Sequence, residues 1–286
     1  MTIFLAVLPA LGWGLMPVIA QLSKGKPNEQ LLGTSTTALL FGIGFFLWIK
    51  PEWTELVFIT GFLSGAFWSG GQYLQFHSFI DLPVSEAMPI SNGTQLIGTT
   101  IAAAVFFNEW SNAAMTAVGL LSIGIIITGI YLTNYHEKKG EEQAGLKKKP
   151  LLKLLLSSLT LTVYVILPRF FDISGEAIIF PQSIGMFTAS YLMNLSQIKI
   201  MNRVYILRNM TTGLAWSIAN VSLFLVIPSL GVGKSFTISQ LAVLVSLFAG
   251  LIVFKPDKSK KERRAIILGA SCITMGILMI SLLKNG

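Results

Sequence analysis

Stretches of about 20 apolar residues, each long enough to cross the hydrocarbon of a bilayer, follow one another along nearly the whole chain. They fall at residues 3–22, 31–49, 56–76, 84–107 and 113–135, and again at 151–170, 177–198, 204–227, 232–254 and 265–283. Lipid offers no partner to a backbone N–H or C=O, so a spanning segment must satisfy these groups internally, as a helix or in a closed barrel. Runs this long exceed the roughly 9–11 residues of a barrel strand. The expected fold is an all-α polytopic membrane protein of ten transmembrane helices. Composition points the same way, with 53% of the 286 residues hydrophobic and 12% charged, which excludes an ordinary soluble domain. The run at 3–22 lacks a basic leading segment and a small-residue cleavage site, and is expected to be a retained helix.

The long hydrophilic interruption, 136–150, separates five runs from five. A register shift of 148 residues, without a gap, carries Trp68-Ser69 onto Trp216-Ser217, Gln72 onto Asn220, Ser91 onto Ser239, Asn92 onto Gln240 and Phe106 onto Phe254. The chain therefore reads as an internal duplication: a first five-helix repeat at 1–135, a hydrophilic cytoplasmic linker at 136–150, and a second five-helix repeat at 151–286. An odd number of spans per copy makes the copies insert in opposite directions. Of the 21 Lys and Arg residues, 17 lie on the side that holds the linker, so the positive-inside rule puts the linker in the cytoplasm and both termini outside. The net charge of +8 is thereby a topology signal and does not call for a nucleic-acid partner. Two inverted five-helix repeats that meet at a midplane site are the plan of many secondary transporters.

Polar groups in hydrocarbon cost several kcal/mol unless compensated. The segment Met88-Pro89-Ile90-Ser91-Asn92-Gly93-Thr94-Gln95 is read as a proline-broken polar turn that opens its span, facing protein or water, with Pro89 as a hinge. Trp48, Trp53 and Trp110 fall at span ends, where aromatic residues belt the interface. Trp13, Trp68 and Trp216 fall near mid-span, where they either pack between helices or offer an apolar platform to the C–H face of a sugar. Gln72 and Asn220 follow the second and third of these by four residues and share a helix face with them. Asn92, Gln95, Gln182, Ser239 and Gln240 extend an inventory suited to a neutral polyhydroxy ligand; each alone would equally serve an interhelical hydrogen bond.

Carboxylates fall at span ends or in loops, and the residues themselves do not support proton coupling. Glu86, one turn inside its span, is the nearest candidate. His77 and His136 share no ligand spacing, and the single cysteine, Cys272, excludes an internal disulfide, so no metal is expected. No P-loop, H-E-x-x-H or nucleophile elbow is present, and neither an enzyme nor a cofactor is expected.

Several strings carry a resemblance: L-P-A-L-G-W-G at 8–14, S-G-A-F-W-S-G-G-Q at 64–72, A-M-P-I-S-N-G-T-Q-L-I-G-T-T at 87–100, P-Q-S-I-G-M at 181–186 and G-V-G-K-S-F-T-I-S-Q at 231–240. Over nearly its whole length the chain resembles the glucose/ribose porter family of the drug/metabolite transporter superfamily. The resemblance implies uptake of a monosaccharide, glucose or ribose, across the bacterial plasma membrane, often with protons. The expected function is monosaccharide uptake by alternating access, with the sugar among Trp13, Trp68, Gln72, Asn92, Gln95, Gln182, Trp216, Asn220, Ser239 and Gln240. An exporter of amino acids or other metabolites on the same fold, or a membrane sugar sensor, are the competing expectations. Ten spans can form a pathway alone, so a monomer is expected.

Overall fold

The computed structural model describes residues 2–137, 148–230, 235 and 238–283. Most of the linker and part of the expected ninth span, with Val232 and Lys234, lie outside the described residues. The helices are α1 (Thr2–Ser23), α2 (Pro27–Ile49), α3 (Glu55–Ser78), α4 (Val84–Phe107), α5 (Ala113–Thr133), α6 (Lys148–Phe170), α7 (Gly175–Asn194), α8 (Arg203–Leu230), α9 (Ala242–Phe254) and α10 (Lys260–Leu283). A 3-10 turn, Ile198–Ile200, precedes α8. No strand occurs among the described residues.

Local sequence accounts for the boundaries. Thr54, Asn112 and Ser174 cap α3, α5 and α7 by accepting from the backbone N–H three residues on. Pro27 opens α2 at a position where a missing N–H costs nothing. Left-handed residues Lys50, Asn108 and Lys255 close α2, α4 and α9. The expected turn at Met88–Gln95 is instead helix: α4 runs unbroken from Val84 through Pro89 to Phe107. Ser85 and Pro89 lie in its first two turns, and Gly250 on α9 approaches Ser85 closely at that end.

Six helices, α1, α2, α4, α5, α6 and α10, are long and apolar enough to cross a membrane by length and composition; residues 238–254 form a shorter apolar helix. The expected ten spans thus differ in kind. In α3, α7 and α8 the apolar run is diluted by Ser64, Ser69, Gln72, Gln75, Gln182, Ser190, Asn209 and Asn220, every one of them buried. These helices are less apolar because much of their surface meets protein instead of lipid.

Helices of one half pack chiefly on helices of the other. α1 lies on α8 as α6 lies on α3, α2 on α8 as α7 on α3, and α1 on α9 as α6 on α4. The pairs α2 with α7, α4 with α9 and α5 with α10 complete the assembly. Small residues set how closely the backbones approach. A Cβ on Gly65 (α3) would overlap the Gln182 carbonyl of α7, and one on Gly213 (α8) would overlap the Thr34 carbonyl of α2. The same 148-residue shift relates those two contacts. At a second such pair the chemistry differs: Gly185 lets α7 meet the Phe62 carbonyl, while Thr37 on α2 donates its hydroxyl to the Met210 carbonyl at 2.9 Å.

Candidate functional site

At the seam between the halves lies a cavity of about 650 Å³, within the usual range for small-molecule sites. Trp13 reaches it from α1, Trp68 and Gln72 from α3, Asn92 and Gln95 from α4, Gln182 from α7, and Trp216 and Asn220 from α8. Ser239 and Gln240, in the helical turn before α9, complete the set. Each residue singled out in the sequence as a binding candidate therefore lines one and the same cavity. Helical spacing explains this: 68 and 72, 92 and 95, and 216 and 220 each share one face of their helix.

The two deep tryptophans pack on each other. The rings of Trp68 and Trp216 meet edge to face, with centroids 5.6 Å apart, and each residue is only 3% exposed. They form a floor of the cavity, whereas Trp13, which also lines it, is less buried.

The amides are wired into the protein. Gln72 Nε2 donates to Gln75 Oε1 at 2.6 Å, and Gln75 Nε2 to Ser91 Oγ at 2.7 Å. Gln182 Nε2 donates to Ser64 Oγ at 2.9 Å, whose hydroxyl donates to the Tyr164 carbonyl at 2.8 Å. Asn220 Nδ2 donates to the Trp216 carbonyl at 2.8 Å, and Gln95 Nε2 to the Leu161 carbonyl at 3.4 Å. Such networks hold side chains in place at modest energy, about 0.6 kcal/mol per interhelical bond in membrane proteins.

Among the described lining residues, charge is confined to one end of the cavity. Arg169, Asp172 and Glu176 line the cavity where α6 passes into α7. Arg169 pairs with Glu109 from the α4–α5 connection and lies 4.3 Å from the centre of the Phe107 ring. At the opposite end, polar ties join the connections of the two halves. Glu29 accepts from the backbone N–H of Lys26 and of Asn202, both at 2.7 Å, Asn28 donates to Gln197 at 3.0 Å, and Asn209 donates to the Lys24 carbonyl at 2.9 Å. The α1–α2 connection is thereby fastened to the α7–α8 connection.

Glu86 stands apart from the cavity. At the N-terminus of α4 its carboxylate meets Lys258 Nζ at 2.7 Å and His136 Nε2 at 3.3 Å. His136 faces Glu262 as well, at 3.7 Å, and Glu262 accepts from the backbone of Glu137 and Ser259. This cluster joins α4, the end of α5 and the α9–α10 connection on the same side. Among the described residues no group of three or more His, Cys, Asp or Glu side chains is arranged so that it could hold a metal ion.

Two features were missed in the sequence. The carboxylate of Glu29 carried a local signal, an acid three residues into a helix that opens K-P-N-E, which is where a side chain reaches back to the N-cap backbone. Arg169 carried none beyond its position near a span end, whereas Asp172 and Glu176 are among the carboxylates that the sequence places at span ends or in loops.

Comparison with known proteins agrees along the full length. The sugar transport protein family model matches residues 4–283. A protein of Listeria monocytogenes named for sugar uptake is 43% identical over 285 residues, covering 99% of this chain and 100% of its own. A protein of Priestia megaterium named for glucose uptake, GlcU, is 38% identical over 288 residues and covered completely. A solved crystal structure superimposes with a TM-score of 0.65 over 100% of this chain and 99% of its own, at 16% identity, a likeness of fold alone. A family match that runs from the first helix to the last, on a chain of membrane-length apolar helices, settles the assignment: the chain belongs to the sugar transport protein family, as a multi-pass protein of the bacterial membrane.

Proposed function

We propose that this protein takes up a neutral monosaccharide of the glucose or ribose class by alternating access between two oppositely inserted five-helix halves, 1–135 and 151–286. The observation that carries the reading is the cavity on the seam between the halves, lined at its centre by indoles and amides and by no charged side chain among the described residues. Rings suit the apolar face of a sugar and amides its hydroxyls. The exchange relation between the packing pairs of the two halves supports the inverted repeat, and so does the lysine-rich linker under the positive-inside rule.

In that topology the cavity end at Arg169–Glu176 faces outward, while the Glu29 and Glu86 clusters lie on the cytoplasmic side. The state described is then outward-facing, with the sugar site in reach of the outside and the inner route tied shut. Transport exchanges the two: the ties between the α1–α2 and α7–α8 connections open as the outer ends draw together. Gln72, Gln95, Gln182 and Asn220 hold the sugar, with Trp13 over its C–H face and Trp68 and Trp216 beneath. Proton linkage, which the family resemblance implies, would run through Asp172 or Glu176, which line the cavity, and not through Glu86, which lies off it.

Counterflow in proteoliposomes tests the reading. Vesicles preloaded with unlabelled sugar should accumulate labelled glucose or ribose transiently, and labelled amino acids should not exchange. Exchange of amino acids without sugar would favour the metabolite exporter instead, and binding without any flux a sensor.

A further inference from the structure

The hydrogen-bond wiring of the cavity has a polarity. For three of its amides the orientation is forced. Asn220 and Gln95 face backbone carbonyls, of Trp216 and Leu161, and a carbonyl only accepts, so the nitrogen must point at it. Gln182 faces Ser64 Oγ, whose own hydrogen goes to the Tyr164 carbonyl, so Gln182 must be the donor there. In all three the amide nitrogen is committed to the protein, and among the described residues nothing donates to the oxygen. Each oxygen keeps two lone pairs for the cavity, against at most one remaining N–H.

We infer that the cavity reads its ligand by hydroxyl donation: the amide oxygens of Gln95, Gln182 and Asn220 accept from ligand O–H groups, so specificity turns on which hydroxyls the ligand can give. The inference rests on the monosaccharide reading above and refines it. Among the described residues no cation bonds to these three amides to favour a carboxylate or phosphate, and no carboxylate to favour an ammonium, so the donors they call for are neutral. Tyr164, Asn92 and Gln240 also line the cavity and can give as well as accept; the polarity belongs to the three constrained amides. An acceptor left without a donor in a dry site is penalised, which is why sites built around a ligand O–H reject an analogue that lacks it.

Deoxyfluoro sugars separate donation from acceptance, because fluorine keeps the electronegative atom and nearly the size of a hydroxyl but has no hydrogen to give. The experiment measures competition against the labelled parent sugar by the whole protein in proteoliposomes, with a series of monodeoxy and monodeoxyfluoro analogues around the ring. At the positions read by these amides, both analogues should bind about tenfold more weakly than the parent, with fluorine restoring nothing. In Asn220→Leu the deoxy penalty at one of those positions should shrink to less than about twofold, as the acceptor is gone; the analogue series on the unaltered protein needs no variant to fold. Fluoro analogues that bind within about twofold of the parent at every position would overturn the inference while leaving sugar transport intact. Absence of any competition by monosaccharides would overturn the functional reading, and this inference with it.

Discussion

Trp68 and Trp216, 148 residues apart in sequence, meet edge to face with 5.6 Å between ring centres, at the point where α3 of one half approaches α8 of the other. Under the proposed inverted repeat these are equivalent positions, and their contact puts the axis relating the two halves between them. Their rings therefore do two jobs, closing the seam and flooring the cavity.

That double role predicts a graded response. Trp68→Ala and Trp216→Ala should each cost about 3–5 kcal/mol of stability, as large aromatic truncations in a core do, and should weaken sugar binding. Phe at either position should recover most of the stability. Thermal unfolding in detergent and binding measured on the same samples check this; Ala variants with unchanged affinity and melting temperature would remove these rings from the site.

Helix approach at glycine makes a sharper contrast. Gly65→Ala would drive a methyl group into the Gln182 carbonyl on α7, whereas a Cβ on Gly70, one turn and a half further along α3, meets nothing within 4 Å. Gly65→Ala should destabilise by about 1–3 kcal/mol through overpacking and shift Gln182. Gly70→Ala should be neutral or slightly stabilising, since alanine is the better helix former. Parallel melts of the two variants decide it.

Glu86 and Lys258 form a buried pair at 2.7 Å, with side chains only 9% and 7% exposed. Removing one partner strands the other charge, which typically costs about 3–5 kcal/mol, while replacing both by apolar groups of similar size is often tolerated. Glu86→Gln should thus be less stable than Glu86→Leu combined with Lys258→Met. If Glu86 serves structure and not coupling, the double variant should respond to collapse of the pH gradient as the unaltered protein does; loss of that response in uptake assays would return Glu86 to the transport cycle.

Cysteine accessibility tests the outward-facing assignment. In a Cys272→Ser background, cysteines placed at Gln72, Asn92, Asn220 or Gln240 should react with a membrane-impermeant reagent added outside. Glu29→Ala, which frees the Lys26 and Asn202 amides from their shared acceptor, should raise their reaction from the cytoplasmic side. Positions sealed from both faces in every variant would refute the cavity as a transport site.

The sequence alone determined a good deal. The length and spacing of the apolar runs dictated helices, since the bilayer permits nothing else at that length, and the described helices begin within a few residues of those runs, the ninth apart, whose start lies outside the described residues. The residues proposed for the site were legible because polar groups are too costly in lipid to occur there without a reason, and four-residue spacing put Gln72 and Asn220 beside Trp68 and Trp216. What sequence periodicity leaves open is what a helix face meets. The tertiary structure alone decided that Trp68 and Trp216 spend their surface on each other, that Pro89 sits within a continuous helix, and that Glu86 belongs to an ion-pair cluster off the cavity, because each of these depends on partners more than 100 residues away or on backbone held by a neighbouring helix. The orientation of the amides is of the same kind: a glutamine can give or accept with equal ease until another helix supplies the carbonyl that makes the choice.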